Sequence, residues 1–257
     1  MCVTHLILSG GGVNGIQMMG ALQKLEEYDK LSDINVIAGV SVGAIIGSLL
    51  CIKSIHEIIS IIPELIEIPK INLKSFLTNY GLCSKLFYLE KINSHLCNYS
   101  FIEMYHFSNK QLDIYATNVT NSCSQLFNYI NTPDMKVIDA IKLTMNVPFL
   151  FEYETYNNCI YVDGAVINNF PIENYNDINN NEKIGILIKL TFLQNNTQIK
   201  NIFQYIYKIL SLFLLYYTKE YQSNVYVIHC SFQNMFDFTI NKDLIKNFLF
   251  EGYNSII

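Results

Sequence analysis

The chain has 257 residues, of which 51% are hydrophobic and 15% are charged, and its formal net charge is −5. This length and apolar content are enough for a large core, and the low charge leaves apolar surface available for contact. Because Lys and Arg form no cluster, the sequence disfavours nucleic acid as a partner and disfavours purely electrostatic docking on an anionic membrane. Any membrane contact would have to be hydrophobic.

The cysteines and the first residues indicate the cellular setting. Seven cysteines are scattered without a C-x-x-C pair, and no Cys/His group has the spacing of a zinc site. The opening sequence MCVTHLILSGGG lacks a basic start followed by a long apolar stretch, so it does not read as a signal peptide. We therefore predict an intracellular protein with free thiols and no metal, either soluble or peripherally associated with a membrane.

The first sixty residues predict the start of a parallel sheet. Residues 5–8 form a short apolar strand that ends at a glycine-rich loop, and residues 16–28 have the apolar spacing of a helix. Residues 35–38 repeat the strand pattern, a second glycine-rich turn follows, and residues 44–52 predict a second helix. A strand, a glycine loop and a helix, repeated in this order, are typical of the opening of an α/β fold.

The remaining chain continues the alternation. Residues 54–98 are predicted to be mainly helical, with breaks near Pro63, Pro69 and Gly81. A polar stretch at residues 174–182 predicts a loop. The further predicted elements are strands at 112–117, 125–130, 159–162, 183–190 and 225–229, and helices at 135–144, 199–217 and 242–251.

The apolar helix predicted at residues 199–217 has two interpretations. Polar residues interrupt it too often for a membrane-spanning helix. It is either a core helix with aromatic packing or an interfacial or lid element that faces a lipid surface. The second interpretation would expose Phe213, Leu214, Tyr216 and Tyr217.

The motif Gly39-Val40-Ser41-Val42-Gly43 lies between a predicted strand and a predicted helix. A serine at such a turn projects its hydroxyl from the edge of the sheet, while Gly39 and Gly43 let the neighbouring backbone approach. The helix that follows places its positive end where negative charge develops during attack on an ester. Ser41 is therefore the candidate nucleophile, and the alternative is a glycine-rich turn with a capping serine.

The loop Gly10-Gly11-Gly12-Val13-Asn14-Gly15 matches G-x-G-x-x-G after a strand and before a helix. A dinucleotide site would also need an acidic residue at the end of the second strand, but that strand leads directly into Ser41. Consecutive backbone N–H groups in such a loop can instead bind the oxyanion of a tetrahedral intermediate. We predict an oxyanion hole formed by Gly10, Gly11, Gly12 and Gly15.

A third segment, Asp163-Gly164-Ala165, follows the strand predicted at residues 159–162. An aspartate beside a glycine at a strand end is common in turns, and alone it says little. Together with the serine motif and the glycine loop it supplies the base that a serine nucleophile requires.

These three segments together resemble the patatin-like phospholipase family, which carries G-G-G-x-x-G, G-x-S-x-G and a distant D-G-[GA] in this order. Residues 111–118 and 137–151 are also similar to the family's middle strand and to its helix and proline turn. The resemblance covers residues 5–175 and implies a three-layer α/β/α fold with a mostly parallel central sheet. Residues 5–175 would form the catalytic core, and residues 176–257 would complete the same domain.

The resemblance implies a lipid acyl hydrolase with Ser41 as nucleophile, Asp163 as general base and Gly164 and Ala165 in the base turn. Burial would make the Asp163 carboxylate a better base than it is in water, and the reaction needs no cofactor. A lipid substrate at a membrane or lipid-droplet surface is the expected partner. Where the family usually has Arg or Lys, this chain has Asn14, which weakens the expectation of phosphate recognition and keeps neutral glycerides and lysolipids as candidates.

Two other functions remain as alternatives. The order Ser41, Asp163, His229 fits a Ser-His-Asp esterase, although that fold places several strands before its nucleophile and here only two are predicted. A non-catalytic lipid-binding protein could have the same fold. Such a protein would need neither the nucleophile, nor the base, nor the glycine loop.

Overall fold

A computed structural model describes residues 2–66, 72, 76, 78, 80–191, 224–231 and 240–256. Within them, eight strands form one sheet and two more form a small separate pair. The strands are β1 His5–Leu8, β2 Val36–Val40, β3 Gly81–Cys83, β4 Gln111–Asn118, β5 Cys123–Phe127, β6 Phe149–Phe151, β7 Glu154–Tyr156, β8 Cys159–Val162, β9 Lys183–Thr191 and β10 Val225–Ser231.

The central sheet is mostly parallel. Its order is β10-β9-β1-β2-β4-β8-β7, with β5 also paired to β4. The strands from β10 to β4 are parallel, whereas β5, β7 and β8 run antiparallel to their neighbours. The pair outside the sheet is formed by β3 and β6, which run parallel.

Helices flank this sheet. The helices are α1 Gly15–Glu27, α2 Val42–Leu50, α3 Ile55–Leu65, α4 Leu86–Leu96, α5 Phe101–Ser108, α6 Val137–Thr144, α7 Ala165–Asn168 and α8 Lys242–Asn254. Short 3-10 turns lie at Gly12–Asn14, Pro171–Tyr175 and Asn180–Glu182. The architecture is therefore an α/β fold with a mostly parallel central sheet, as predicted.

The core lies on both faces of the sheet. In β1, Leu6 and Leu8 are buried in the larger cluster with the helices, whereas Ile7 belongs to a second cluster on the other face with Phe170. Alternate residues of a strand point to opposite faces, and a parallel sheet is normally buried on both. This explains why the first strand is a continuous apolar run rather than an alternating one.

Most predicted elements are present, and two strands have the predicted bounds, at His5–Leu8 and Cys159–Val162. The strand predicted at 125–130 instead spans Cys123–Phe127. It ends there because the Asn128 side chain accepts hydrogen bonds from the backbone N–H groups of Ile130 and Asn131, which turns the chain. The helix predicted at 199–217 lies outside the described residues.

Other elements were missed by the sequence analysis. Strands β3, β6 and β7 have only three residues each, too few for a periodic pattern. Helix α5 did have a sequence signal, since Ser100 and Glu103 form a capping box at its start. The region predicted to be mainly helical, residues 54–98, also contains strand β3, which was not predicted.

The described residues contain no helix that is both long enough and apolar enough to span a membrane. They also contain no cluster of His, Cys, Asp or Glu side chains suited to a metal ion. All seven cysteines are in the described part of the chain, and each is a free thiol.

Candidate active site

Ser41 occupies a sharp turn between β2 and α2. Its backbone has φ 52° and ψ −122°, a conformation that costs a non-glycine residue about 1–3 kcal/mol and must be imposed by the surroundings. A Cβ on Gly43 would lie 2.5 Å from the Ser9 carbonyl oxygen, and one on Gly39 would lie 2.5 Å from the Ala44 nitrogen. The two glycines of the motif therefore permit the close approach that holds Ser41 in this turn.

The register of β4 explains how Ser41 and Asp163 meet. Val40 at the end of β2 pairs with Tyr115, and Val162 at the end of the antiparallel β8 pairs with Thr117. The two strand ends thus approach the same point of β4 from opposite directions. A Cβ on Gly164 would overlap the Tyr115 carbonyl oxygen and would lie 3.0 Å from a methyl group of Val40, so the two turns are in contact.

Asp163 is a buried carboxyl group, with only 4% of its surface exposed. Burial raises its pKa from 3.8 to about 6, because a desolvated carboxylate is less stable. Hydrogen bonding to the Ser41 side chain and to the backbone N–H of Ala165, 2.9 Å from Oδ1, lowers the pKa in part. The group therefore loses its proton near neutral pH, where it can act as a base.

The glycine loop lies beside Ser41, and its N–H groups differ in availability. A Cβ on Gly10 would lie 3.3 Å from Ser41 Cβ, but the Gly10 N–H donates to the Asn169 carbonyl. The Gly15 N–H donates within the loop to the carbonyl of Gly12. Within the described part of the chain, the N–H groups of Gly11 and Gly12 have no acceptor.

An apolar cavity of about 170 Å³ reaches Ser41. In the described structure its lining side chains are apolar apart from Ser41 and Tyr88. Helices α1 to α4 and the segment from Met145 to Phe151 form its wall. The lining includes Val13, Ile16, Met19, Val42, Ile45, Ile46, Leu49, Ile58, Ile62, Leu65, Ile66, Ile92, Val147 and Leu150. Such a cavity suits a hydrocarbon chain and not a polar ligand.

Thr144, at the end of α6, contacts both turns and was not predicted from the sequence. Its hydroxyl oxygen accepts the Ser41 N–H at 3.0 Å and donates to the Tyr115 carbonyl at 2.5 Å. Its main-chain carbonyl accepts the Gly164 N–H at 3.3 Å. The Ser41 N–H is thus occupied, and Thr144 connects the serine turn to the aspartate turn.

Asn146 was also missed and holds the strand that carries Asp163. Its main-chain carbonyl accepts the Asp163 N–H at 2.9 Å, and its side-chain Nδ2 donates to the Tyr161 carbonyl at 2.8 Å. Both Thr144 and Asn146 are at most 1% exposed. No local pattern in the sequence marked these two residues, although buried polar groups need specific partners.

Two residues of the sequence analysis lie apart from these contacts. Asn14 is fully buried, and neither polar atom of its side chain has a hydrogen-bond partner among the described residues. His229 is exposed on β10, three strands from β2, which is roughly 14 Å across the sheet. That separation is far too large for a hydrogen bond to Ser41, so the geometry does not favour the Ser-His-Asp alternative.

Comparison with known proteins identifies the family to which this site belongs. The sequence profile described as Patatin-like phospholipase matches residues 6–174, which include the glycine loop, Ser41 and Asp163. The chain belongs to the patatin-like phospholipase family. The resemblance carried by the three motifs is thereby confirmed, and the chain is a member of a lipid hydrolase family.

Curated members of the family have related descriptions. The chain is 33% identical over 206 residues to the "Probable lipid hydrolase 463L" of Invertebrate iridescent virus 6, covering 73% of this chain and 69% of that protein. It is 29% identical over 209 residues to the "Triacylglycerol lipase ptl3" of Schizosaccharomyces pombe, covering 65% of this chain and 41% of that lipase.

Solved patatin-like structures show the same fold. VipD from Legionella pneumophila aligns with a TM-score of 0.65 at 14% identity, over 98% of this chain and 66% of that one. ExoU from Pseudomonas aeruginosa, in its complex with SpcU, aligns with a TM-score of 0.54 at 16% identity, over 98% of this chain and 52% of that one. This patatin-like chain therefore spans only part of these neighbours.

Proposed function

We propose that the chain hydrolyses carboxylic esters of lipids with a Ser41–Asp163 dyad. The observation that carries this proposal is the position of Ser41. It lies in a strained turn beside a buried carboxyl group and in the wall of an apolar cavity. Strain at a nucleophile, a base with a raised pKa and a site for an acyl chain are each expected of such an enzyme.

The reaction would use the two residues in turn. As Ser41 Oγ attacks the ester carbonyl carbon, Asp163 accepts the hydroxyl proton and then passes it to the departing alkoxide. The acyl group is left on Ser41. Water then attacks this ester while Asp163 takes its proton, and the proton returns to Ser41 as the fatty acid leaves. No step requires a metal or an organic cofactor.

We assign the oxyanion to the N–H groups of Gly11 and Gly12. Of the four glycines predicted for this role, Gly10 and Gly15 donate within the chain, and the Ser41 N–H donates to Thr144. Free donors fixed in advance are what an oxyanion hole needs, because they require no reorganisation during the reaction.

The cavity supports an acyl chain as the part of the substrate that binds beside Ser41. The names of the viral and yeast relatives also support lipid esters as substrates. The buried loop residue Asn14 has no charge, so the loop offers no cation at this position for a phosphate. We therefore propose neutral glycerides or lysolipids ahead of diacyl phospholipids.

A lipid surface is the proposed partner. Val166 and Ile167 of α7 are 47% and 46% exposed directly after the base turn, where apolar side chains could contact a membrane or lipid droplet. Changing both to Glu should reduce hydrolysis of emulsified lipid but not of a soluble ester. Phe250→Glu, at an exposed position on α8, is the control. An equal loss on both substrates would contradict the proposed surface.

Covalent labelling tests the proposed nucleophile without a guess at the substrate. A fluorophosphonate should modify Ser41 in the wild type, as read by mass spectrometry, and should not modify Ser41→Ala. Ser48→Ala, which removes a buried hydroxyl of α2 bonded to the Ala44 carbonyl, should label normally. A folded wild-type protein that is not labelled, and that binds lipid without hydrolysing it, would support the non-catalytic alternative instead.

A further inference from the structure

Lys85, between β3 and α4, is a buried cation that the proposed chemistry does not use. It is 3% exposed, and its Nζ contacts an acceptor on each of three residues. These are Asn146 Oδ1 at 2.9 Å, the Glu152 carbonyl at 3.0 Å and Glu154 Oε1 at 2.9 Å. An ammonium group has three donors, and here all three have acceptors.

The charge on Lys85 is balanced within the same cluster. Glu154 on β7 binds Lys85 through one oxygen, and through the other it binds Lys142 of α6 at 2.7 Å. Burial lowers the pKa of Lys85 to about 8, with Lys142 acting in the same direction and Glu154 and Glu152 acting against it. Burying a cation costs free energy unless it is paired, so a lysine at this position requires these acceptors.

Asn146 connects this cation to the proposed base. Its side-chain Nδ2 and its main-chain carbonyl bond the Tyr161 carbonyl and the Asp163 N–H. Those two groups flank residue 162 on the same edge of β8, so Asn146 satisfies them as a neighbouring strand would. Asn146 thus helps to fix the strand end that carries Asp163, together with the pairing of β8 with β4.

Lys85 decides which way the Asn146 amide faces. An asparagine side chain can present either its oxygen or its nitrogen in a given direction. Because an ammonium group can only donate, the oxygen must face Lys85, and the nitrogen is then directed at the Tyr161 carbonyl. Without Lys85, no ammonium group would hold the Asn146 oxygen in this direction.

We propose that Lys85 and Asn146 are positioning residues, in which Lys85 orients the Asn146 amide and Asn146 fixes the strand end that places Asp163 against Ser41. This inference rests on the proposed function. Their hydrogen bonds reach the main chain at Tyr161 and Asp163 and not the Asp163 carboxylate, so both act through the backbone that presents it. Small displacements of a base from its reacting partner are enough to lower a catalytic rate strongly.

Steady-state kinetics on a soluble short-chain ester test the contact between Lys85 and Asn146. Lys85→Met removes the cation and keeps the aliphatic stem. We expect kcat to fall by about tenfold or more with KM within about twofold, because binding of the ester is unaffected. Lys136→Met is the matched control, since Lys136 forms an ion pair with Glu103 at the surface near the start of α6. The control should retain the wild-type kcat.

The second variant is Asn146→Asp, which has the same shape, still accepts from Lys85 and cannot donate to the Tyr161 carbonyl. It should lower kcat to a similar extent, and it carries the test alone if Lys85→Met fails to fold. If Lys85 acts through Asn146, the double variant should cost no more than the larger single change. Independent effects that multiply, or a folded single variant with wild-type kcat, would overturn the proposal.

Labelling of Ser41 separates this inference from the proposed function. If the wild type is neither labelled by a fluorophosphonate nor active on esters, the proposed function fails and this inference fails with it. If the wild type is labelled and active while folded Lys85→Met and Asn146→Asp are labelled at the wild-type rate, only the positioning role is wrong. Slower labelling of both variants, with normal labelling of Lys136→Met, is the expected result.

Discussion

The segment around Ser41 and the segment around Asp163 meet at one point of the sheet, but they are held there in different ways. The Ser41 turn depends on glycines two residues away and on the end of β1, against which Gly43 packs. The Asp163 turn depends on Thr144, the last residue of α6, and on Asn146, which follows that helix. A short motif therefore encodes the backbone turn at Ser41, to which Thr144 adds one hydrogen bond, whereas long-range buried polar contacts hold the Asp163 turn.

The largest expected effect comes from Asp163→Asn, which removes the proposed base and keeps the side-chain shape. We expect kcat on esters to fall by about 10³-fold or more, because Ser41 loses its proton acceptor. Asp139→Asn, on the exposed face of α6, should have no effect on kcat. Wild-type turnover in folded Asp163→Asn would contradict the role of Asp163.

The same variant has a pH-dependent effect on stability. The folded-state pKa of Asp163 is raised, so its contribution to stability is fully present below about pH 3.8 and is lost as pH rises through about 6. Relative to the wild type, Asp163→Asn should gain up to about 3 kcal/mol of unfolding free energy between pH 4 and pH 7. Urea unfolding at both pH values measures the gain. A stability difference between variant and wild type that does not change with pH would contradict the raised pKa of Asp163.

Thr144→Val tests the contact that both segments share. Valine keeps the shape but leaves the Ser41 N–H and the Tyr115 carbonyl without their side-chain partner. We expect kcat to fall by roughly 10–100-fold through displacement of the nucleophile. Two unpaired buried groups should also lower the unfolding free energy by about 2 kcal/mol or more. Thr120→Val, which removes a surface hydrogen bond to the Ile160 N–H, is the control.

Gly43→Ala tests the local geometry of the Ser41 turn. The added methyl group would lie 2.5 Å from the Ser9 carbonyl oxygen and 2.6 Å from the Leu8 carbonyl oxygen, so the backbone must move. We expect a loss of roughly 1–3 kcal/mol or more in unfolding free energy. Gly47→Ala, one turn later in α2, would place its methyl group 2.9 Å from the Ile37 Cγ2 atom, which is side chain and not main chain, and its effect should be milder. Equal effects of the two changes on thermal unfolding would refute this account of the motif.

The smallest effect concerns acyl-chain length. Ile62→Phe adds bulk to the cavity wall on α3, so hydrolysis of long-chain esters should fall several-fold more than that of short-chain esters. Ile59→Phe is on the same helix at a position that does not line the cavity. The ratio of kcat/KM for long and short esters is the measurement. The same ratio in both variants would show that the acyl chain binds elsewhere.

This contrast also explains what the sequence could predict. The motif around Ser41 and the strand at residues 159–162 were visible because their signals lie within a few neighbouring residues. The contacts of Lys85, Thr144 and Asn146 could not be predicted from the sequence. Each joins residues that are distant in sequence, and no local pattern indicates which residue is the partner. Strands β3 and β6 were missed for the same reason, since three residues acquire their strand conformation from pairing with each other.

The pH dependence of Ser41 modification tests the central claim, that Asp163 is the base for Ser41, most directly. The rate of fluorophosphonate labelling of the wild type should rise with pH through an apparent pKa of about 6, as Asp163 loses its proton. In Asp163→Asn the labelling should be slow and should lack this transition. A wild-type rate without a transition near pH 6, or an Asp163→Asn variant that retains it, would contradict the account.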